Sequence, residues 1–257
     1  MVTRHARAAW KGRGSMIAMA LVAALGSPTA LSAAASVRPE PPRWALHGRY
    51  APEIDPANFV SRIDNRYFPL EPGTTFHYEG REGATPQTDD MVVTRRTKQI
   101  LGVTCTVVQD TVSEHGKPLE RTFDWYAQDT HGNVWYMGEY SLERKDGKFV
   151  RADDSWEAGV DGARPGIIMP GNPHAGQVYR QEFSPPEALD QARVLGHRAS
   201  ITVPYGTFRR SLVTAEWSPV EPQYEQKTYA AGIGEIEEHV TRGGHERFVL
   251  VSVTRHP

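Results

Sequence analysis

About a dozen strand-like runs, each bounded by turn residues, constrain the fold of this chain more than any other feature of its sequence. The runs alternate apolar and polar side chains, and pairs such as Asp146-Gly147 suit tight hairpins because glycine accepts a positive φ. The pattern predicts an all-β chain, an antiparallel meander that forms a barrel or a strongly curved sheet, with a two-sheet sandwich as the alternative. The predicted runs are residues 74–82, 91–97, 103–112, 121–128, 134–142, 148–152, 177–183, 192–203, 207–217, 224–230, 235–241 and 246–254.

One short helix is predicted ahead of these runs, over residues 55–63. Asp55 suits the N-cap position and Pro56 the first helical position. Phe59, Val60 and Ile63 would then lie on one side of a helix of about two turns. We expect this helix to pack against an edge or an open end of the β-structure.

The first 35 residues are typical of an export signal. A basic segment precedes the apolar run Met16–Leu25, and small residues suited to signal peptidase follow at 32–35. The apolar run is shorter than the roughly 20 residues that span a bilayer, so no integral membrane segment is expected in the mature chain. We expect a secreted or periplasmic protein without a lipid anchor, since no Cys lies near the cleavage point. The expected divisions are a signal peptide (1–35), an extended lead-in (36–53) and a single β domain (54–257).

Charge and cysteine content exclude several classes of function. Loss of residues 1–35 would leave 25 Lys and Arg against 31 Asp and Glu, a balance that argues against a nucleic-acid partner. The single cysteine, Cys105, excludes an internal disulfide and a cysteine-based zinc site. Strand alternation places Cys105 on the same face as Val103 and Val107, which indicates a buried thiol rather than a nucleophile.

Two neighbouring runs, 124–129 and 134–140, hold the densest group of aromatic and acidic residues. Alternation does not decide whether Asp124 and Glu139 share a face, because it leaves the strand register open. If they do, the pair could supply acid–base catalysis or bind a cation. The alternative is a structural role, with cross-strand aromatic pairs and acids at the surface. The candidate ligand-binding residues in these runs are Trp125, Tyr126, Trp135 and Tyr136.

Residues 155–173 carry four glycines and three prolines and show no strand or helix periodicity. We therefore predict a long ordered loop that covers a cavity or caps an end of the β-structure. Trp156, Glu157 and Asp161 are its candidate ligand contacts.

Two further groups of residues are weaker candidates. Arg180 could bind a carboxylate or phosphate, or pair with an acid on an adjacent strand. Glu235, Glu237 and His239 would share one face of a regular strand, which is a weak alternative to our expectation of no metal site. No nucleotide-binding or nucleophile-elbow motif is present, and we expect no cofactor.

The chain resembles a group of uncharacterised exported bacterial β-proteins. The resemblance is carried by Tyr67-Phe68-Pro69-Leu70-Glu71-Pro72-Gly73-Thr74-Thr75 and by the run from Asp124 to Tyr136, which reads D-W-Y-A-Q-D-T-H-G-N-V-W-Y. It extends from Asp55 to the C-terminus and implies a soluble, secreted β domain of bacterial origin. It implies no activity.

These observations favour a secreted or periplasmic binding protein that holds a small apolar or amphiphilic ligand in a β-barrel cavity beneath residues 155–173. A cofactor-independent hydrolase or isomerase is the second hypothesis, with Asp124, Glu139 and Arg180 as its catalytic candidates. A structural or lipid-carrying envelope protein is the third. Oligomeric state cannot be predicted from these patterns.

Overall fold

A computed structural model describes residues 40–221 and 223–256, so the predicted signal peptide lies outside the described residues. Eighteen strands account for most of this part of the chain. They are β1 Phe59–Val60, β2 Ile63–Asn65, β3 Phe68–Leu70, β4 Thr74–Glu82, β5 Thr85–Ile100, β6 Val103–Glu114, β7 Lys117–Asp129, β8 Val134–Lys145, β9 Lys148–Arg151, β10 Trp156–Glu157, β11 Arg164–Met169, β12 Val178–Arg180, β13 Glu182–Phe183, β14 Gln191–Val203, β15 Gly206–Trp217, β16 Tyr224–Ala230, β17 Gly234–Arg242 and β18 Arg247–Arg255.

The strands form one nearly closed, barrel-like antiparallel sheet, as the alternating runs predict. Its order is β12-β14-β15-β16-β17-β18-β4-β5-β6-β7-β8-β11-β13. The two terminal strands, β12 and β13, are consecutive in the chain and separated by Gln181 alone. The seam therefore lies at Gln181, where the carbonyl group of this residue passes so close to Gly166 of β11 that a Cβ on Gly166 would overlap it.

The lead-in lies across this seam. Its described part, residues 40–53, has no regular secondary structure but is anchored by hydrogen bonds. The Tyr50 hydroxyl donates to the Pro165 carbonyl at 3.0 Å, and the Gln191 side-chain amide donates to the Leu46 carbonyl at 3.2 Å. An extended segment thus joins strands from both ends of the sheet order.

The predicted N-terminal helix is wrong. Asp55 caps a turn as expected, because its side chain accepts a hydrogen bond from the Ala57 amide at 3.0 Å, but the turn is a single 3₁₀ turn, Pro56–Asn58. Phe59 and Val60 then pair with the end of β7. Hydrogen bonds to an available strand replace those that a helix would have formed, and the described residues contain no α-helix.

The prediction of a long loop over residues 155–173 is also wrong. Trp156–Glu157 and Arg164–Met169 are strands that pair with β8. The glycines hide this strand character from the sequence, yet Gly166 is required there by the close approach of Gln181. Residues 158–163 between the two strands form the true connecting turn.

The separate hairpin β2–β3 is attached where several strands of the barrel end. The Gln128 side-chain carbonyl accepts hydrogen bonds from the backbone amides of Asp64 and Asn65, at 2.9 and 2.8 Å. The Asn65 side-chain amide donates to the Gly132 carbonyl at 2.8 Å, and the Gly232 amide donates to the Arg66 carbonyl at 2.7 Å. The hairpin is therefore tied to two different turns of the barrel and caps that end.

Carboxyl groups are unusually frequent among the buried side chains. In the described part of the chain, fifteen Asp and Glu residues are buried, against the basic residues Arg180 and Lys227. Lys227 lies between Glu216 and Glu238, with its ammonium nitrogen 3.4 Å from each carboxylate. None of the helical segments found in residues 40–221 and 223–256 is long and apolar enough to cross a membrane.

Candidate functional site

Asp124 and Glu139 lie directly opposite each other on β7 and β8 and share the inner face of the sheet. The Tyr136 hydroxyl joins them, at 2.6 Å from Asp124 Oδ1 and 2.9 Å from Glu139 Oε2. All three side chains are buried. The register that the sequence leaves open therefore brings the two candidate acids together.

The Tyr136 hydroxyl carries one hydrogen, so it can donate to only one of these carboxyl groups. The shorter contact, to Asp124, has the length of a bond from a hydroxyl to an ionised oxygen. The second contact is then donated by a protonated Glu139 to the Tyr136 oxygen. Burial raises the pKa of Asp124 to about 7 and raises that of Glu139 well above its usual value, with neighbouring carboxylates adding to both shifts. The arrangement can hold one proton at neutral pH and pass it along the three side chains.

A glycine bulge places the aromatic residues around this pair. Gly138 has a φ of +134°, and a Cβ there would overlap the Trp156 carbonyl oxygen. The bulge allows β10 to approach β8 closely, so that Trp156 meets the Tyr136 ring edge-on at 5.5 Å between centroids. On the other side, Tyr126 stacks on Tyr136 at 4.9 Å. Trp156 also donates a hydrogen bond from its indole nitrogen to Glu182 Oε2 at 2.9 Å.

A pocket of about 290 Å³ lies beside β8 and combines five of the predicted site residues. Trp125, which follows Asp124 on β7, lines this pocket together with Glu139. The Lys98 ammonium lies 3.3 Å from the Trp125 ring centroid and 2.7 Å from Glu157 Oε2. The pocket is lined by Lys98, Trp125, Glu139, Tyr140, Arg151, Ser155, Trp156, Glu157, Val160, Asp161 and Ser184, and we call it the outer pocket.

Sequence reasoning did not select six of the outer-pocket residues, which are Lys98, Tyr140, Arg151, Ser155, Val160 and Ser184. Lys98 belongs to β5, far from the aromatic runs in the sequence, and no local pattern points to it. Tyr140 extends the run 134–140, and its alternation with Glu139 could have identified it as a residue of the opposite face.

Two predicted site residues, Trp135 and Arg180, belong neither to the buried Asp124–Tyr136–Glu139 group nor to the outer pocket. The Trp135 indole nitrogen donates to Asp129 Oδ2 at 2.9 Å, and its ring packs against Phe59. Trp135 thus holds the β7–β8 turn. The Arg180 guanidinium donates to the Leu46 carbonyl at 3.2 Å and lies 5.6 Å from the Tyr50 ring centroid, so Arg180 anchors the lead-in. Its catalytic role stays a prediction.

The weak metal alternative at Glu235, Glu237 and His239 fails because β17 is not regular. A register shift separates Glu235 from Glu237. Glu235 lines an inner cavity, whereas Glu237 is paired with Arg198 and Arg247 at 2.9 and 2.8 Å. Within residues 40–221 and 223–256, no group of three or more His, Cys, Asp or Glu side chains has the arrangement of a metal site.

The inner cavity lies beneath the β2–β3 hairpin and has a volume of about 20 Å³. Phe68 of the hairpin and Phe76, Tyr78 and Tyr126 of the barrel surround it. Asp124 and Glu235 also line it. Of these six residues, Phe68, Phe76 and Tyr78 were not predicted as site residues, although Phe76 and Tyr78 alternate on one face of a predicted strand.

No family model and no curated protein matches this chain. A solved structure described as "a putative lipoprotein from Parabacteroides distasonis" is similar at 14% sequence identity, with a TM-score of 0.37, over 74% of this chain and 99% of that one. A similarity of this degree assigns neither a family nor an activity to the chain.

Proposed function

We propose that the chain is a binding protein that holds a small amphiphilic molecule in the outer pocket. One observation carries the proposal: three aromatic side chains and charged groups of both signs line a pocket of about 290 Å³. Such a combination of apolar walls and a few polar groups is typical of small-molecule sites. Secretion remains a prediction based on the N-terminal signal pattern, and so does membership of the group of exported β-proteins.

The charges indicate the form of the ligand. The Lys98 ammonium already occupies one face of Trp125 and pairs with Glu157, so a second cation would have to displace it. Arg151 and Lys98 can bind an acidic or hydroxyl-bearing head, while Tyr140 and Val160 contact an apolar body. Tyr140 is 39% exposed and Val160 50%, so both present apolar surface to solvent. We therefore favour an amphiphile with a flat apolar part over a wholly apolar ligand.

The test uses 1-anilinonaphthalene-8-sulfonate, an aromatic amphiphile with an anionic head, and follows its fluorescence during titration. Tyr140→Ala should weaken binding by about fivefold, because it removes one aromatic wall. Tyr205→Ala is the matched control, since Tyr205 is 37% exposed and lies outside the pocket. Equal affinities of wild type and Tyr140→Ala would refute the proposal. Independently of this titration, native mass spectrometry of protein from its own host would identify a retained natural ligand by its added mass.

A second function, acid–base catalysis without a cofactor, is favoured by one observation: Glu139 both lines the outer pocket and contacts the Tyr136 hydroxyl. If the shared proton moves from Glu139 through the Tyr136 hydroxyl to Asp124, Glu139 becomes ionised and can accept a proton from a bound substrate. Calorimetry of the same sulfonate in buffers of different ionisation enthalpy measures proton uptake on binding. Catalytic competence predicts uptake or release that Glu139→Gln abolishes, and identical heats in all buffers would argue against it.

A further inference from the structure

The inner cavity is separate from the outer pocket and differs from it in chemistry. Its volume of about 20 Å³ accommodates about one water-sized group. The hydrogen bonds of Gln128, Asn65 and Gly232 hold the β2–β3 hairpin over it, so the cavity is part of the folded structure and not a gap between loosely packed elements.

Four aromatic rings form much of the cavity wall. Phe68 meets Tyr126 edge-to-face at 5.4 Å between centroids, and Phe76 and Tyr78 complete the group. Aromatic faces carry partial negative charge and attract cations, and rings that surround a small space form the type of cage that recognises ammonium groups.

Two acidic residues, Asp124 and Glu235, line the same cavity. An anionic ligand would be repelled by them. A divalent metal ion prefers six or more oxygen ligands, which walls made chiefly of carbon do not supply. An ammonium group, by contrast, is about the size of water, can donate to a carboxylate and gains from the surrounding rings.

We propose that this cavity binds a small primary ammonium ion, ammonium itself or methylammonium, with Asp124 as its carboxylate partner and the Phe68, Phe76, Tyr78 and Tyr126 rings as its cage. This second site goes beyond the proposed function and does not depend on it. The buried cation of the protein itself, Lys227, is held between Glu216 and Glu238.

The charged and titratable groups that act on Asp124 come from three other strands. They are Tyr136 and Glu139 on β8, Asp89 on β5 and Lys227 on β16. Burial raises the pKa of Asp124 to about 7, so its ionised fraction falls about tenfold for each pH unit below that value. Binding of the ammonium ion should therefore weaken by about fiftyfold as the pH decreases from 7 to 5.

The proposal is tested by calorimetric titration of the purified full-length protein with methylammonium, methanol and formate. Wild type should bind methylammonium at least about tenfold more tightly than methanol, and formate least. Asp124→Asn should abolish the preference for the ammonium compound, and Phe76→Leu should reduce it. Circular dichroism establishes that each variant is folded.

Two controls separate this site from other sources of binding. Glu79→Gln removes an exposed carboxyl group of β4 and should leave the preference unchanged, which excludes a general effect of negative charge. Tyr140→Ala alters the outer pocket and should also leave it unchanged. The proposal is overturned if wild type shows no binding of methylammonium at millimolar concentration, if it binds methanol equally well, or if folded Asp124→Asn retains the preference.

Discussion

Tyr136 shows how one atom can couple two acids. Its hydroxyl contacts both Asp124 and Glu139, and its single hydrogen requires one of the carboxyl groups to supply the second hydrogen bond. The buried pair is therefore stable with one proton bound. An aromatic hydroxyl between two carboxyl groups acts here as a structural element of the sheet and as a means of moving a proton.

Asp124→Asn should change how the free energy of unfolding depends on pH. Because burial raises the pKa of Asp124 from 3.8 to about 7, the folded state retains a proton that the unfolded chain releases above pH 4. This contribution to the free energy of unfolding is present below pH 4 and is lost as the pH rises to 7. Asp124→Asn should remove this pH dependence. Between pH 4.5 and 7.5, the free energy of unfolding of wild type should therefore fall by roughly 1 to 3 kcal/mol more than that of the variant.

Urea unfolding at the two pH values measures the effect. Glu79→Gln is the matched control because the Glu79 side chain is 63% exposed. The free energy of unfolding of this variant should change with pH as that of wild type does. If wild type and Asp124→Asn lose equal stability across the interval, Asp124 is already ionised in the folded protein at acidic pH.

At the scale of single elements, the short strand β10 brings the charge of Glu157 close to a buried thiol. Cys105 is fully buried, and burial raises its pKa to about 12, with Lys98 and Glu157 among the nearby charges. The sequence prediction that Cys105 is buried is thus confirmed, and its low reactivity stays a prediction. The ion pair between Lys98 and Glu157 joins β10 to β5 on this face of the sheet.

Glu157→Gln should therefore speed the reaction of Cys105 with a thiol reagent by about twofold to fivefold. The ion pair is one-third exposed on both sides, and such pairs contribute at most about 1 kcal/mol. Global stability should change little, since only local opening becomes easier. The rate is measured with Ellman's reagent without denaturant. Glu143→Gln, which breaks the pair with Lys145 on the β8–β9 hairpin, should leave the rate unchanged. An equal increase in both variants would mean that the thiol is exposed by global unfolding.

At the scale of the whole molecule, closure depends on a small number of close contacts. The sheet order begins and ends beside Gln181, and Gly166 allows that segment to meet β11. The lead-in crosses the same place through Leu46 and Tyr50. A substitution at the seam should thus affect the entire barrel rather than one hairpin.

Gly166→Ala should lower the free energy of unfolding by about 1 to 3 kcal/mol, because the added Cβ would overlap the Gln181 backbone. Gly206→Ala is the matched control. A Cβ at Gly206 would make only ordinary contacts with the Phe208 ring, at 3.8 Å, and its φ is not positive. Denaturant unfolding of both variants provides the comparison. Equal stability of Gly166→Ala and Gly206→Ala would show that the seam can open without cost to the rest of the sheet.

The sequence by itself determined most of the long strands, the burial of Cys105 and the concentration of aromatic and acidic residues on β7 and β8. Alternation and turn chemistry are local properties, so residues close in the chain are sufficient to predict them. Only the tertiary structure decided that Asp124 and Glu139 share a face, since register and the Gly138 bulge depend on pairing with another strand. It also decided that Arg180 anchors the lead-in and that residues 55–63 form no helix. In each case the deciding partner lies far away in the sequence, where neither periodicity nor propensity can identify it.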